Sequence, residues 1–384
     1  MSTLSGYHAM IVSMYFKTVE DFINIEFVCK KYLNNMGKFH LNPIPLNHKT
    51  IGHFFNIETL NLWNKNDENF GNGFIINSRF NENTEIYENI NKNRKSVLKK
   101  DSIKSMCVTS IGECCFSECN SLCNVTIPSN ITSIGEYCFS GCDNLRDVTI
   151  GQSVTFINNY CFNECTSLSN VVLSTDITAI GDDCFNECSS LSRVIIPANV
   201  KTIGVGCFSE CTSLSSIIIP SSVTSIGNWC FNGCSSLKGV TISSCVKSIG
   251  ENCFGGCCSL SSVTIPSSVT SIGDGSFYIC KSLVGVTIPP SVKTIGVSCF
   301  GGCIALNNIM IPSSVISIGG YCFNGCSSLK TVTLSLDLTS IGDKCFFDCD
   351  SLSSITIPSS VVLIGENCFS LNTTVHRELT TNNE

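Results

Sequence analysis

Apolar positions along this chain recur at one long, fixed interval. The glycine of Ser110-Ile111-Gly112 returns at 135, 181, 204, 227, 250, 273, 296, 319, 342 and 365, and Asn158 fills the remaining slot. These are twelve units spaced 23 residues apart, with no insertion between them. A unit reads Ile-Pro-Ser-Ser-Val-Thr-Ser-Ile-Gly-x-x-Cys-Phe-x-x-Cys-x-Ser-Leu-x-x-Val-Thr. Such a period marks a solenoid, because one unit cannot bury its own apolar face and its neighbours must cover it.

Within a unit, Leu260-x-x-Val263-Thr264-Ile265 predicts a short strand ended by Pro266, which cannot donate to a ladder. Val269 and Ile272 then precede Gly273, which predicts a turn with positive φ. An acidic residue follows the glycine in seven units, at Glu113, Glu136, Asp182, Glu251, Asp274, Asp343 and Glu366. Acid there fits the first turn of a short helix. Cys253, Cys257 and Leu260, spaced i, i+4, i+7, fall on one face of that helix or 3₁₀ turn, with Phe254 filling most of the volume. The expected fold is an α/β repeat solenoid with one parallel sheet built from the Leu-x-x-Val-x-Ile strands. At roughly 4.8 Å per coil it would be about 55–60 Å long.

The repeats occupy 107–369, followed by a polar tail at 370–384, and Asn372 stands where the last unit would carry its second cysteine. Residues 1–37 predict two helices, from the spacing of Leu4, Tyr7, Met10, Ile11 and Met14 and then of Val19, Phe22, Ile23, Phe27 and Val28. Residues 38–106 read as an irregular connecting region with a first degenerate coil, where Ile57–Trp63 predicts one strand. The basic cluster Lys92 to Lys100 reads as a solvated linker, with a localisation signal or an acidic contact as the sharper alternative.

Composition agrees with a break near residue 100. Residues 1–100 hold 12 Lys/Arg against 9 Asp/Glu, and the remainder 11 against 21. The net charge of −7 argues against nucleic acid as a partner. No apolar run is long enough for a membrane helix, so no membrane insertion is expected. The start lacks the charged and apolar regions of a secretory signal. A cytoplasmic location follows as the expectation, with surface exposure left open to a non-classical export route. Of 28 cysteines, 22 fall into two columns of the repeat. The simplest reading is a buried ladder of small, soft thiols in a reducing compartment. Zinc, disulfides and redox sensing by the extra thiols Cys114, Cys123, Cys245 and Cys258 remain alternatives.

The unit resembles the BspA-type, treponemal-type leucine-rich repeat of 23 residues, over about 107–369. The resemblance rests on Leu, Ile-Pro, Ile-Gly, Phe and the second Cys held in register, as in "IPSSVTSIG..CF.GCSSL..VTIP". Cysteine in place of the usual alanine before Phe is a form abundant in anaerobic protists. The resemblance implies an arc used for protein recognition or adhesion, without catalysis. Asp21-Phe22, Ile25, Val28-Cys29-Lys30 and Tyr32 are similar to an F-box. This segment lacks the initial Leu-Pro and has Tyr32 in place of Trp. That likeness implies docking to a Skp1-type adaptor through Tyr7, Met10, Ile11, Phe22, Ile25 and Val28. The alternative is a plain helical cap for the first coil.

Candidate partner-binding residues lie on the strands. Their x positions point away from the core, and the central column reads Thr126, Thr149, Val172, Ile195, Ile218, Thr241, Thr264, Thr287, Met310, Thr333 and Thr356. A β-branched ladder chosen for strand propensity is one reading. The other is a concave recognition surface with an apolar centre at Val172, Ile195 and Ile218. Thr149, Thr241, Arg146, Asp147, Arg193, Lys238 and Lys330 flank it. The five histidines lie outside the repeats and form no nucleophile or metal motif, so no enzyme and no cofactor is expected. Three functions remain: a recognition scaffold, an F-box-type substrate receptor of a ubiquitin ligase, and a surface adhesin.

Overall fold

The computed structural model describes residues 59–62, 75–78, 109–120 and 122–378. The helices expected over 1–37 and the Lys92–Lys100 cluster lie outside the described residues. The strand expected in 57–63 is present as Thr59–Leu62, and it pairs in parallel with Ile75–Ser78.

From residue 109 the chain is a β-solenoid, with two strand segments per coil. The longer ladder is not the expected one. Ser-Ile pairs from Ser110–Ile111 to Leu363–Ile364 form one parallel sheet of twelve strands, each bonded to its counterpart in the adjoining coil. The Val-Thr strands, expected to carry the sheet, instead fall into one three-stranded and several two-stranded sheets. Ile272, just ahead of the glycine expected to turn the chain, belongs to a strand. This strand is Ser271–Ile272, with serine outside and isoleucine inside. Two residues are enough because the whole stack, not the single strand, supplies the pairing.

The glycine after each Ser-Ile pair does not take positive φ. It is required for approach. A Cβ on Gly204 would lie 2.5 Å from the Asp182 nitrogen and 2.5 Å from the Gly181 carbonyl carbon. At Gly273 it would lie 2.7 Å from the Glu251 nitrogen. Adjacent coils therefore touch backbone to backbone along this column. Replacing Gly204 by Ala should cost about 1–3 kcal/mol or more in urea unfolding, since the coils must part to admit the methyl group. Gly239→Ala is the control, because a Cβ there meets nothing within 4 Å. Equal losses for the two variants would contradict the close-approach account. In the unit without glycine, Asn158 turns its side-chain amide onto the Ile134 carbonyl. That is the type of acceptor the glycine N–H takes elsewhere, as from Gly135 to Ile111.

No helix occurs among the described residues. The Gly-x-x-Cys-Phe-x-x-Cys segment is two successive tight turns, each with a left-handed residue. In one coil these are Trp229 at φ 59° and Gly233 at φ 70°. The same two columns hold non-glycine residues in most units, Tyr137, Asn252, Ile279 and Tyr321 among them. Alternating handedness sends every second N–H along the stack. Trp229, Phe231 and Gly233 donate to the carbonyls of Glu251, Cys253 and Gly255, each at 2.8 Å. A helix would have spent those donors internally. The four-residue spacing of inward side chains comes from two turns of equal length, which imitate a helical face. The acid after glycine is accordingly no helix cap. Asp182, Asp274 and Asp343 each accept a backbone N–H from the next coil, at 2.8, 2.7 and 2.8 Å. Asn159 and Asn228 do the same at 2.9 Å.

Phenylalanine does fill the core. Twelve rings from Phe116 to Phe369 stack in one file, with centroids 5.2–5.8 Å apart and planes within 12° of parallel. Beyond Phe369, Thr374–Arg377 pairs in parallel with Ser354–Ile357.

Candidate recognition surface

Each Val-Thr strand alternates outside, inside, outside, as Asn170–Val172 and Ser216–Ile218 show. The structure places all eight candidate residues on this surface. Thr149, Val172, Ile195, Ile218 and Thr241 stand exposed in one file, with Arg146 and Lys238 exposed at strand entrances and Arg193 exposed two residues before Ile195. The adaptor candidates Tyr7, Met10, Ile11, Phe22, Ile25 and Val28 lie outside the described residues.

The ladder has a gap in the middle of this file. Residues 193–195 form no strand, so the three-stranded sheet stops at Asn170–Val172 and pairing resumes only at Ser216–Ile218. A groove of about 430 Å³ opens there, between Asn170–Leu173 on one side and Arg193–Ile195 on the other, with Pro197 at one end. Val172 and Ile195 line it, 50% and 68% exposed, and Ile218, also 68% exposed, follows in the next coil of the file. Elsewhere in the file, except at Met310, which stands alone and 68% exposed, threonine covers the strand with a hydroxyl. Here branched hydrocarbon faces water beside a cationic side chain, which is the composition of a contact surface rather than of a reaction centre.

The cysteine columns offer no reaction centre either. Cys207, Cys211 and the other column members are buried. Second-column thiols from Cys142 to Cys349 each donate to the carbonyl of the phenylalanine one coil back, ten bonds of 3.0–3.3 Å. The second column is thus a bonding device as well as a packing one. Ser276, the exception in the first column, is buried with its hydroxyl 2.9 Å from the Gly250 carbonyl and 2.7 Å from that of Gly273. Burial, with neighbouring thiols adding to it, raises the Cys207 and Cys253 pKa well above the ordinary thiol value. Burial also pushes Cys165 up to about 12. A thiol held protonated is a poor nucleophile and a poor metal ligand. Among the described residues no group of three or more His, Cys, Asp or Glu could hold a metal ion. No described helix is long and apolar enough to cross a membrane.

Sequence reasoning passed over the exposed aromatics on the turn side. Tyr137, exposed, stacks on the half-buried Tyr160 at 4.6 Å, and Trp229, Tyr278 and Tyr321 are also exposed. Their signal was present: Tyr137, Tyr160, Trp229 and Tyr321 stand immediately before the Cys-Phe pair and Tyr278 immediately after Ser276-Phe277, in positions the repeat leaves variable.

The repeat matches the family model described as the BspA type leucine rich repeat region, in six copies over residues 84–214, 178–307 and 247–376. The chain belongs to this family, whose members are generally non-catalytic. No curated protein sequence matches it. Among solved structures, it is similar to a leucine-rich repeat protein from Bacteroides ovatus at 25% identity, covering 71% of this chain and 88% of that one with a TM-score of 0.39. It is similar to a leucine rich cell surface protein from Faecalibacterium prausnitzii at 26% identity, covering 71% and 84% with a TM-score of 0.46. A leucine-rich repeat protein from Eubacterium ventriosum is 25% identical over 71% and 82%, with a TM-score of 0.49.

Proposed function

We propose that this chain is a non-catalytic protein-recognition scaffold, and that its contact surface is the interrupted Val-Thr face around Val172, Ile195 and Ile218. One observation carries the reading: three successive exposed apolar members of the file, Val172, Ile195 and Ile218, stand at and on either side of the segment 193–195, where the Val-Thr strand is missing, and Val172 and Ile195 line a groove. An exposed apolar cluster beside unpaired strand backbone can receive both side chains and main chain of a partner protein.

The test compares retention of partners on the immobilised full chain with retention on an Ile195→Glu/Ile218→Glu variant. Both side chains point to water, so the fold should survive. A partner held by a hot spot at this place should bind about 30-fold more weakly to the variant. Thr264→Glu and Thr287→Glu, further along the same file, serve as controls. Retention that is unchanged in the double variant overturns this assignment of the surface.

A further inference from the structure

A second depression lies on the turn side, away from the Val-Thr face. It has a volume of about 340 Å³ and is bounded by Tyr278 and Tyr321, with Asn252, Asp274, Ser298 and Asn324 around it. Tyr278 and Tyr321 belong to coils two apart, roughly 10 Å along the stack at the ordinary strand spacing. Small residues clear the space between and beside them. Gly255 and Gly301 occupy the positions of Tyr278 in the neighbouring coils, and Gly275 and Ser298 those of Tyr321 in the two preceding coils. The edge of the Tyr278 ring rests on Gly301, where an added Cβ would lie 3.2 Å from its Cδ2. The coil floor is buried at Gly275 and Gly301, while both rings are exposed. Both rings stand in columns that the repeat leaves variable, and Ser276, the one non-cysteine in the first cysteine column, follows Gly275 of this floor in the chain.

We propose that this depression binds a neutral saccharide. Two exposed tyrosine rings offer the negative side of their quadrupoles to the C–H faces of a sugar ring. The polar groups around them suit hydroxyls. Asp274 uses Oδ1 to accept the Val297 N–H at 2.7 Å and keeps its other oxygen toward solvent. Asn324 donates through Nδ2 to the Phe347 carbonyl at 3.2 Å and keeps its amide oxygen. Both side chains are thereby fixed before a ligand arrives, which lowers the ordering cost of binding. The volume falls in the lower range of small-ligand sites. Paired tyrosines beside a carboxylate would also suit a quaternary ammonium ion. One positive charge already stands at this site's edge, since the Lys344 Nζ lies 5.5 Å from the Tyr321 ring centroid. A second cation would be repelled, and a neutral polyol would not.

Calorimetric titration of the full chain with cellotetraose, maltotetraose and chitin tetrasaccharide, and separately with tetramethylammonium, tests the proposal. At least one tetrasaccharide should bind with unit stoichiometry. Tyr278→Ala and Tyr321→Ala should each weaken it about tenfold or more, at an unchanged Tm. Tyr137→Ala, on a distant coil, should leave it unaltered. The Ile195→Glu/Ile218→Glu variant should also keep it, so the two sites succeed or fail separately. The proposal is overturned if none of the three sugars binds, if tetramethylammonium binds in their place, or if sugar binding survives both tyrosine substitutions.

Discussion

Raising the pH from 9 to about 10 in the presence of a reductant should unfold the solenoid in one steep step. Twenty column thiols have a pKa raised above the ordinary value of 9.0. Burial is the main cause in nearly all of them, and at Cys142 it is the hydrogen bond with Cys119. Below pH 9 the folded and unfolded chains are both protonated, so the contribution is fully present. Above it the unfolded chain releases protons that the folded chain must keep, and stability falls with pH. Each thiol contributes about 1.4 kcal/mol per pH unit, so twenty together lose on the order of 20–30 kcal/mol per unit. The net stability of a folded domain is smaller than that, about 5–15 kcal/mol. Circular dichroism should therefore collapse soon after unfolded-state thiols begin to ionise, in step with thiolate absorbance. A native spectrum that persists beyond about pH 11, near the value of the least shifted thiol, Cys368 at about 11, would contradict it.

Phe231→Ala should remove about 3–5 kcal/mol. Its ring is fully buried between Phe208 and Phe254, at 5.5 and 5.4 Å, so its loss opens a hole in the middle of the file. In a stack stabilised by nearest neighbours, that hole also weakens the coupling of the two halves. Chemical denaturation should show a lower midpoint and a transition that broadens or divides. Phe369→Ala, at the partly exposed end of the file, should cost less than half as much. A loss at Phe231 no larger than that at Phe369 would refute the continuous stack.

Period, coil count, the inward phenylalanines and the outward threonine file were legible, because they depend only on what must repeat. The helix was misread for a physical reason. Cys253, Cys257 and Leu260 point inward at helical spacing, yet Asn252 and Gly256 take positive φ and bend the chain back after each four-residue step. Frequent Gly, Asn and Asp in those columns was the available sign. The true sheet was hidden because Ser271-Ile272 is too short to be a strand by itself and becomes one only through its neighbours. The groove at Arg193 to Ile195 was half visible: its apolar lining follows from the sequence, whereas its opening depends on a pairing that fails between coils. The tyrosine depression involves residues 43 positions apart that no motif links.

The backbone contact along the glycine column has a consequence for how such a chain can change over generations. A deletion of a single residue would displace every downstream glycine, ring and thiol from its column, whereas loss or gain of 23 restores all of them at once. The coil is therefore the unit of inheritance as well as of packing. Lineages should differ in length by whole coils, and the features that break the rule, the coil without a Val-Thr strand and the tyrosine-bearing ones, can be copied or moved as intact cassettes.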